Sequence, residues 1–359
     1  MVVAPDSFKG SIGAAGAAAA LADGWRAARP GDDVRCLPLA DGGEGTLQVL
    51  AAGQAGARWH TARVSGPVTG QVTARWLELP GAVHVIELAS AAGLPLLREL
   101  DPLHAHTAGV GELIAAALDA GAHRVLVGIG GSASTDGGTG ALAALGARFR
   151  DAAGAGLPRG GAALTRLAAA DLSGLRPPPP GGVACLSDVR APLLGPDGAA
   201  AVYGPQKGAD AAQVELLEAG LAALAAALGG DPERPGAGAA GGTGYGLAAA
   251  WGAELLPGSA QIARIAGLDA ALDGAGLVIT GEGQYDATSG TGKVAGAVCA
   301  AARAAGVRAA VVAGVLAGDP PPGTACLALA DLAGGRGPAI ADPARWLKVA
   351  GQRLARDLT

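Results

Sequence analysis

The sequence lacks asparagine altogether, and its 359 residues include one methionine and four cysteines. The cysteines stand far apart and form no CxxC pair, so they predict neither a zinc site nor a disulfide framework. The first residues, MVVAPDSFKG, lack the basic and apolar pattern of a secretion leader. No apolar stretch reaches the ~20 residues that a membrane span needs. We therefore expect a cytoplasmic protein without a membrane partner.

Positive charge is also scarce, since 26 Lys and Arg residues stand against 31 Asp and Glu residues. An acidic surface does not attract nucleic acid or an anionic membrane, which favours a small polar substrate. Only four of the basic residues are lysines, and three of these, Lys9, Lys207 and Lys293, adjoin glycine. Arginine does not replace the compact lysine ammonium at every phosphate contact. These three lysines are therefore predicted anion anchors.

Strand, glycine loop and helix alternate at both ends of the chain. VVAPDS predicts a strand and loop, AAGAAAALADGWRAA a helix, and GLVITGEG opens a similar unit near the carboxyl end. Residues 57–90 instead alternate apolar with polar side chains, which predicts antiparallel hairpins. We predict an α/β fold in which residues 1–65 and 271–359 form one parallel-sheet domain and residues 66–270 an inserted, mixed α/β domain. The strands expected to share the first sheet lie near residues 1–5, 34–39, 277–280 and 309–313.

Six polar clusters share one design, an acid or a lysine among small residues just after a predicted strand. They read APDSFKGS, ADGGEGT, GIGGSASTDGG, LSDVRAPLLGP, YGPQKGA and TGEGQYDATSGTGK. Small residues let backbone N–H groups approach an anion closely, and a following helix adds its positive dipole end. Carboxylates in the same loops are suited to magnesium. Together these features are typical of phosphoryl transfer.

Other functions stay open on the residues alone. GIGGSA matches the dinucleotide-binding fingerprint, with Asp151 at the distance of a ribose ligand, which would suit an NAD-dependent dehydrogenase of a small hydroxy acid. Asp136 argues against it, because its charge would repel a pyrophosphate. GTGKV fails as a phosphate-binding P-loop, since valine follows Lys293. A non-catalytic sensor of small acids is a further alternative.

The six motifs, together with GPVTG and in this order, resemble the bacterial glycerate kinases that phosphorylate D-glycerate with ATP. The resemblance spans nearly the whole chain. It implies a Rossmann-like α/β domain with a second α/β domain inserted, MgATP as the phosphate donor and 2-phosphoglycerate as the usual product. Three positions depart from the family pattern, with Thr135 in place of asparagine, Ser187 in place of cysteine and Gln284 in place of arginine. The last departure puts an arginine–phosphate contact there in doubt.

The resemblance and the motifs lead to a set of predicted site residues and ligands. Asp188 is expected to orient or deprotonate the substrate hydroxyl, or to hold magnesium, and the glycines to form an anion-binding cradle. The predicted catalytic residues are Asp188, Lys9, Lys207 and Asp286. The predicted cofactor-binding residues are Gly130, Gly131, Ser132, Asp136, Gly137, Gly138, Glu282 and Lys293, and the predicted metal ligands are Asp6, Asp188 and Glu282. The expected ligands are ATP, Mg²⁺ and D-glycerate, with no nucleic acid, and a homodimer is compatible with the sequence.

Overall fold

The computed structural model describes residues 1–287, 289–290 and 292–358. The strands are β1 (Val2–Val3), β2 (Arg35–Cys36), β3 (Arg58–Ser65), β4 (Gln71–Leu79), β5 (Val83–Glu87), β6 (Arg124–Gly128), β7 (Arg148–Arg150), β8 (Ala169–Asp171), β9 (Val183–Leu186), β10 (Glu254–Leu256), β11 (Leu277–Tyr285), β12 (Arg308–Leu316) and β13 (Ala325–Ala328). The α-helices are α1 (Ala14–Ala28), α2 (Thr46–Gly53), α3 (Ala89–Ala92), α4 (Ala108–Asp119), α5 (Thr139–Ala144), α6 (Ala199–Tyr203), α7 (Ala211–Leu228), α8 (Ala239–Trp251), α9 (Gly258–Ala266), α10 (Leu268–Leu272), α11 (Val294–Ala304), α12 (Leu329–Ala333), α13 (Arg336–Ala341) and α14 (Pro343–Asp357).

The first sheet is parallel throughout and has the order β13-β12-β11-β1-β2. It contains all four of the segments that the sequence predicted to share a sheet, which confirms that prediction. The chain passes from β1 to β2 on one side and from β11 through β12 to β13 on the other. The crevice between the carboxyl ends of β1 and β11 is therefore a topological switch point, where open α/β sheets bind ligands.

Helices α1 and α14 pack closely beside this sheet. A Cβ built on Gly24 would lie 2.0 Å from the carbonyl oxygen of Lys348, and one on Gly351 would lie 2.3 Å from that of Leu21. Any larger residue at either position would force the two backbones apart, so glycine is required there. The apolar face of α1, which includes Leu21 and Trp25, is buried in the same core.

The second sheet has the order β10-β9-β6-β5-β4-β3. The pairs β3–β4 and β4–β5 are antiparallel, which confirms the predicted hairpins, whereas β5, β6, β9 and β10 run parallel. The segment GIGGSASTDGG follows β6 and thus belongs to this sheet, as expected. The hydrophobic core beside the second sheet includes aliphatic residues of α4 and β6, among them Leu113, Ile114, Val125 and Val127.

The chain divides into two compact units. Unit 1 comprises Met1–Asp41, Gln48–Ala55 and the residues from Pro257 onward, and unit 2 comprises Gly42–Leu47 and Gly56–Leu256. β3 lies in unit 2 because it pairs with β4 along its whole length. Gly42–Leu47 lies there because the amide of Leu47 donates a hydrogen bond to Oε1 of Glu87, 2.8 Å away. The predicted domain ranges stay a prediction.

Helix α7 is long and apolar, with a mean hydropathy of 1.5, so its length and composition alone would suit a membrane span. Its buried residues, Leu217, Gly220, Leu221 and Leu224, recur at the spacing of one helical face. That stripe packs within unit 2, with the Leu224 side chain against Gly137. Asp210 and Gln213 close the amino-terminal end with a reciprocal capping box. This is also the pattern of a helix that packs one face on a protein core.

Candidate functional site

A pocket of about 250 Å³ opens at the carboxyl ends of β1, β11 and β12 in unit 1. We call it the strand-end pocket. Its polar lining includes Asp6, Lys9, Asp41, Glu282 and Lys293. The two strands that deliver Asp6 and Glu282, β1 and β11, are neighbours in the sheet, so the pocket occupies the topological switch point.

Asp6 is held in place by the backbone on both sides. Its amide donates to the carbonyl oxygen of Gly281 at 2.8 Å, and the amide of Ser7 donates to its Oδ1 at 2.6 Å. Burial and, to a smaller extent, the nearby charge of Asp41 raise the pKa of Asp6 to about 7, although the Ser7 amide and Lys9 act in the opposite direction. A carboxyl group with this pKa binds either a proton or a cation near neutral pH.

The other carboxylates of the pocket are paired with its lysines. Nζ of Lys9 lies 3.4 Å from Oδ2 of Asp41, and Nζ of Lys293 lies 3.8 Å from Oε2 of Glu282. Asp41 is the main cause of the raised pKa of Lys9. Burial raises the pKa of Glu282, whereas Lys293 lowers it.

Asp286 extends this group beyond β11. Nζ of Lys293 lies 3.5 Å from Oδ2 of Asp286, and the amide of Asp286 donates to Oγ of Ser289 at 3.0 Å. Lys293 stands at the N-cap position of α11, so the ammonium lies at the start of that helix. Two of the three threonines of TGEGQYDATSGTGK, those at 288 and 291, lie outside the described residues.

One carboxylate oxygen of the pocket residues, Oε1 of Glu282, is buried and has no hydrogen-bond partner among the residues that the structure describes. Those residues also contain no group of three or more His, Cys, Asp or Glu side chains arranged to hold a metal ion. Magnesium usually takes only one or two carboxylates and completes its shell with phosphate and water oxygens. Asp6 and Glu282 fit such a shared site.

The raised pKa of Asp6 predicts how stability depends on pH. Between the ordinary aspartate pKa and about 7, the folded protein holds a proton that the unfolded chain releases, so stability falls as pH rises through this window. We expect Asp6→Asn to remove on the order of 2 kcal/mol of the stability difference between pH 5 and pH 8. Urea unfolding of the parent and the variant at both values measures it. Equal pH dependence in the two proteins would contradict the assigned pKa.

In unit 2, the glycine-rich loop after β6 encloses its own carboxylate. Oδ2 of the buried Asp136 accepts hydrogen bonds from the amide of Thr107 at 2.9 Å, the Thr107 hydroxyl at 2.9 Å and the amide of Gly140 at 3.1 Å. Its Oδ1 accepts from the amide of Gly138 at 3.2 Å, and the amide of Gly137 donates to Gly241. These amides therefore have partners within the protein, and an external ligand at Gly137 or Gly138 stays a prediction.

Lys207 lies beside this loop and is almost completely buried, with 2% of its surface exposed. Its ammonium donates a hydrogen bond to the carbonyl oxygen of Ser134. Burial lowers the pKa of Lys207 to about 8, and the charge of Asp136 opposes that effect. Burial of a charged ammonium group costs folding free energy unless the group has a hydrogen-bond partner. The bond to Ser134 provides that partner, and it connects the loop to the short helix Pro205–Lys207.

Three backbone segments of unit 2 meet at the carboxyl ends of β6 and β9. A Cβ on Gly128 would lie 2.3 Å from the carbonyl oxygen of Gly42, and one on Gly42 would lie 2.8 Å from that of Leu186. Asp188 is half-buried and follows Leu186 by two residues. Glycines 130 and 131 and Ser132 begin the loop after β6 at the same edge of the sheet.

The predicted residues thus fall into two groups. Unit 1 brings together Asp6, Lys9, Glu282, Asp286 and Lys293, and unit 2 holds Lys207, Asp188 and the predicted residues of the glycine-rich loop. Thr107, which fixes Asp136 from 29 residues away, was not predicted from the sequence. Arg336 was not predicted either, since it lines the strand-end pocket but belongs to no motif. Thr107 stands beside two histidines in HAHTAG, but nothing in that pattern signals its partner.

The chain is similar to known proteins in both sequence and fold. A sequence model of the glycerate kinase family matches residues 1–359. The chain is 42% identical over 330 residues to the glycerate kinase of Bacillus subtilis, and the aligned region covers 89% of this chain and 86% of that protein. It is 43% identical over 305 residues to the glycerate 2-kinase of Escherichia coli, with 82% and 79% covered. A crystal structure from Salmonella typhimurium LT2, designated glycerate kinase 2, has a TM-score of 0.82 at 36% identity and covers 99% of this chain and 97% of that one.

The chain belongs to the glycerate kinase family. This confirms the resemblance drawn from the six motifs, and the similar solved fold confirms the α/β class. The predicted enzyme class, a kinase, is confirmed by the same family. The dehydrogenase and sensor alternatives do not fit a family of kinases.

Proposed function

We propose that this protein transfers a phosphoryl group from ATP to D-glycerate in a magnesium-dependent reaction, with 2-phosphoglycerate as the product. The observation that carries the proposal is the strand-end pocket, where Asp6, Glu282, Lys9 and Lys293 surround a topological switch point. Phosphoryl transfer depends mainly on positioning and on neutralising the phosphate charge, and this pocket offers both acids and cations. The name of the Escherichia coli relative, glycerate 2-kinase, supports the 2-phosphate.

Within the pocket, Asp6 and Glu282 would hold magnesium, which neutralises phosphate charge when it is bound. The unpartnered Oε1 of Glu282 supports this assignment. Lys9 and Lys293 would bind phosphate oxygens. Their ion pairs with carboxylates are long, at 3.4 and 3.8 Å, so phosphate oxygens can compete for the ammonium groups. Asp286 beside Lys293 is a second candidate for the general base.

In unit 2, Asp188 would orient or deprotonate the substrate hydroxyl, or alternatively hold magnesium. Its place after a buried strand, at the carboxyl edge of the sheet, supports a site role. Gly130, Gly131 and Ser132 would supply the external anion contact of the loop. Asp136 and Lys207, which bind inside it, would hold its shape. We also propose that the protein is cytoplasmic, binds neither nucleic acid nor a membrane, and forms a homodimer.

The test is release of ADP from ATP, measured with and without D-glycerate and with and without magnesium. We expect ADP only when both are present, and phosphorus NMR of the product distinguishes 2- from 3-phosphoglycerate. Equal ADP release without glycerate would refute the acceptor, and full activity with EDTA would refute the metal.

A further inference from the structure

Arg336 reaches the strand-end pocket from a rigid turn between two helices. α12 ends with Gly334 in a left-handed conformation, and the amide of Gly335 donates to the carbonyl oxygen of Ala330 at 2.8 Å. Gly335 itself has a φ of 152°, which side-chain-bearing residues rarely adopt. Ala339, one turn after Arg336, is buried in the unit 1 core. The backbone that carries Arg336 is thus fixed at both ends.

Three cationic side chains line this pocket, and they differ in their partners. Lys9 is paired with Asp41, and Lys293 with Glu282 and Asp286. Arg336 has no carboxylate within ion-pair distance among the residues that the structure describes, although it lines the same pocket as those acids. Arg336 is therefore an exposed cation at the pocket lining without an ion-pair partner among the described residues.

A guanidinium group binds carboxylates and phosphates through two parallel N–H···O bonds, which an ammonium group does not do. Both D-glycerate and ATP bring such an oxyanion. We infer that Arg336 binds the oxyanion of a substrate in the strand-end pocket, either the glycerate carboxylate or a nucleotide phosphate. The inference rests on the proposed function for the identity of these ligands. It assigns a substrate-binding role to a residue outside all six motifs.

Two substitutions test this role. Arg336→Met removes the charge and keeps much of the length, and Arg336→Lys keeps the charge but loses the paired donors. We expect Arg336→Met to raise one KM about ten- to a hundredfold with kcat within a few-fold, and Arg336→Lys to recover part of that loss. A rise in the KM of glycerate alone identifies the carboxylate as the bound group. A rise in the KM of ATP alone identifies a phosphate.

The matched control is Arg345→Met, because Arg345 is also exposed but stacks on Trp346 and does not line the pocket. If Arg336→Met leaves both KM values within twofold of the parent, or changes them no more than Arg345→Met does, the inference is wrong. A parent that does not phosphorylate glycerate would instead refute the proposed function. In that case, calorimetric titrations of glycerate, and of ADP with magnesium, test the binding role of Arg336 independently of catalysis. Equal or absent binding in the parent and Arg336→Met overturns the role of Arg336.

Discussion

Asp188→Asn is expected to lower kcat by at least about a hundredfold while the protein melts normally. General-base groups contribute roughly 10² to 10⁴ in rate, and asparagine keeps the shape of aspartate without its charge. A packing or turn role for Asp188 would largely survive this change, whereas a base or metal role would not. Steady-state ADP release at saturating glycerate and ATP measures kcat, and calorimetry gives the melting temperature.

Asp151→Asn serves as the control for charge removal in the same unit. Oδ1 of Asp151 accepts hydrogen bonds from the amides of Ala153 and Ala155 in an exposed turn, so its role is local. We expect its kcat to equal that of the parent. If Asp188→Asn keeps kcat within a few-fold of the parent, Asp188 is structural and the catalytic role passes to Asp286 or Glu282.

Asp136→Ala is expected to destabilise unit 2 by about 3–5 kcal/mol, because it removes one member of a buried, charged network. The amides of Thr107, Gly138 and Gly140 would lose their acceptor, and the buried ammonium of Lys207 would lose the nearby negative charge. An unpaired buried donor costs its full desolvation energy. The midpoint of urea unfolding should therefore fall markedly.

Asp171→Ala is the matched change at a partly exposed aspartate. Asp171 also accepts hydrogen bonds from an amide and a hydroxyl, both of Ser173, but it lies at the surface. Water replaces those contacts, so the urea midpoint should stay close to that of the parent. Equal losses in the two variants would show that burial of Asp136 adds nothing to stability.

The fold was most predictable where local propensity and tertiary packing agree. AAGAAAALADGWRAA, predicted as a helix, coincides with α1. The strand expected near residues 34–39 is shorter, because β2 includes only Arg35 and Cys36. Beyond Cys36, the amides of Leu37 and Leu39 still donate hydrogen bonds to the carbonyl oxygens of Val3 and Pro5, at 2.8 and 2.9 Å. Pro38, which lies between them, has no amide hydrogen to donate.

The sequence predicted which loops form the site, but it did not predict the hydrogen-bond partners of the side chains in those loops. Glycine, acid and lysine together identify each loop from a few adjacent residues. Partner choice depends on residues far away in the chain, such as Thr107 for Asp136 and Glu87 for Leu47. A carboxylate inside a loop rich in amides is equally compatible with binding those amides and with repelling a ligand from them. Only the folded geometry distinguishes the two cases.

Acylating reagents modify amines that solvent can reach, so the few lysines of this chain should react at very different rates. The side chain of Lys9 is 74% exposed, whereas Lys207 is 2% exposed and donates a hydrogen bond to the carbonyl oxygen of Ser134. Modification of Lys207 therefore requires the loop around Ser134 to open first. Its labelling rate, followed by mass spectrometry on one peptide, reports how often that loop opens, and a ligand that keeps the loop closed slows the labelling without any activity assay.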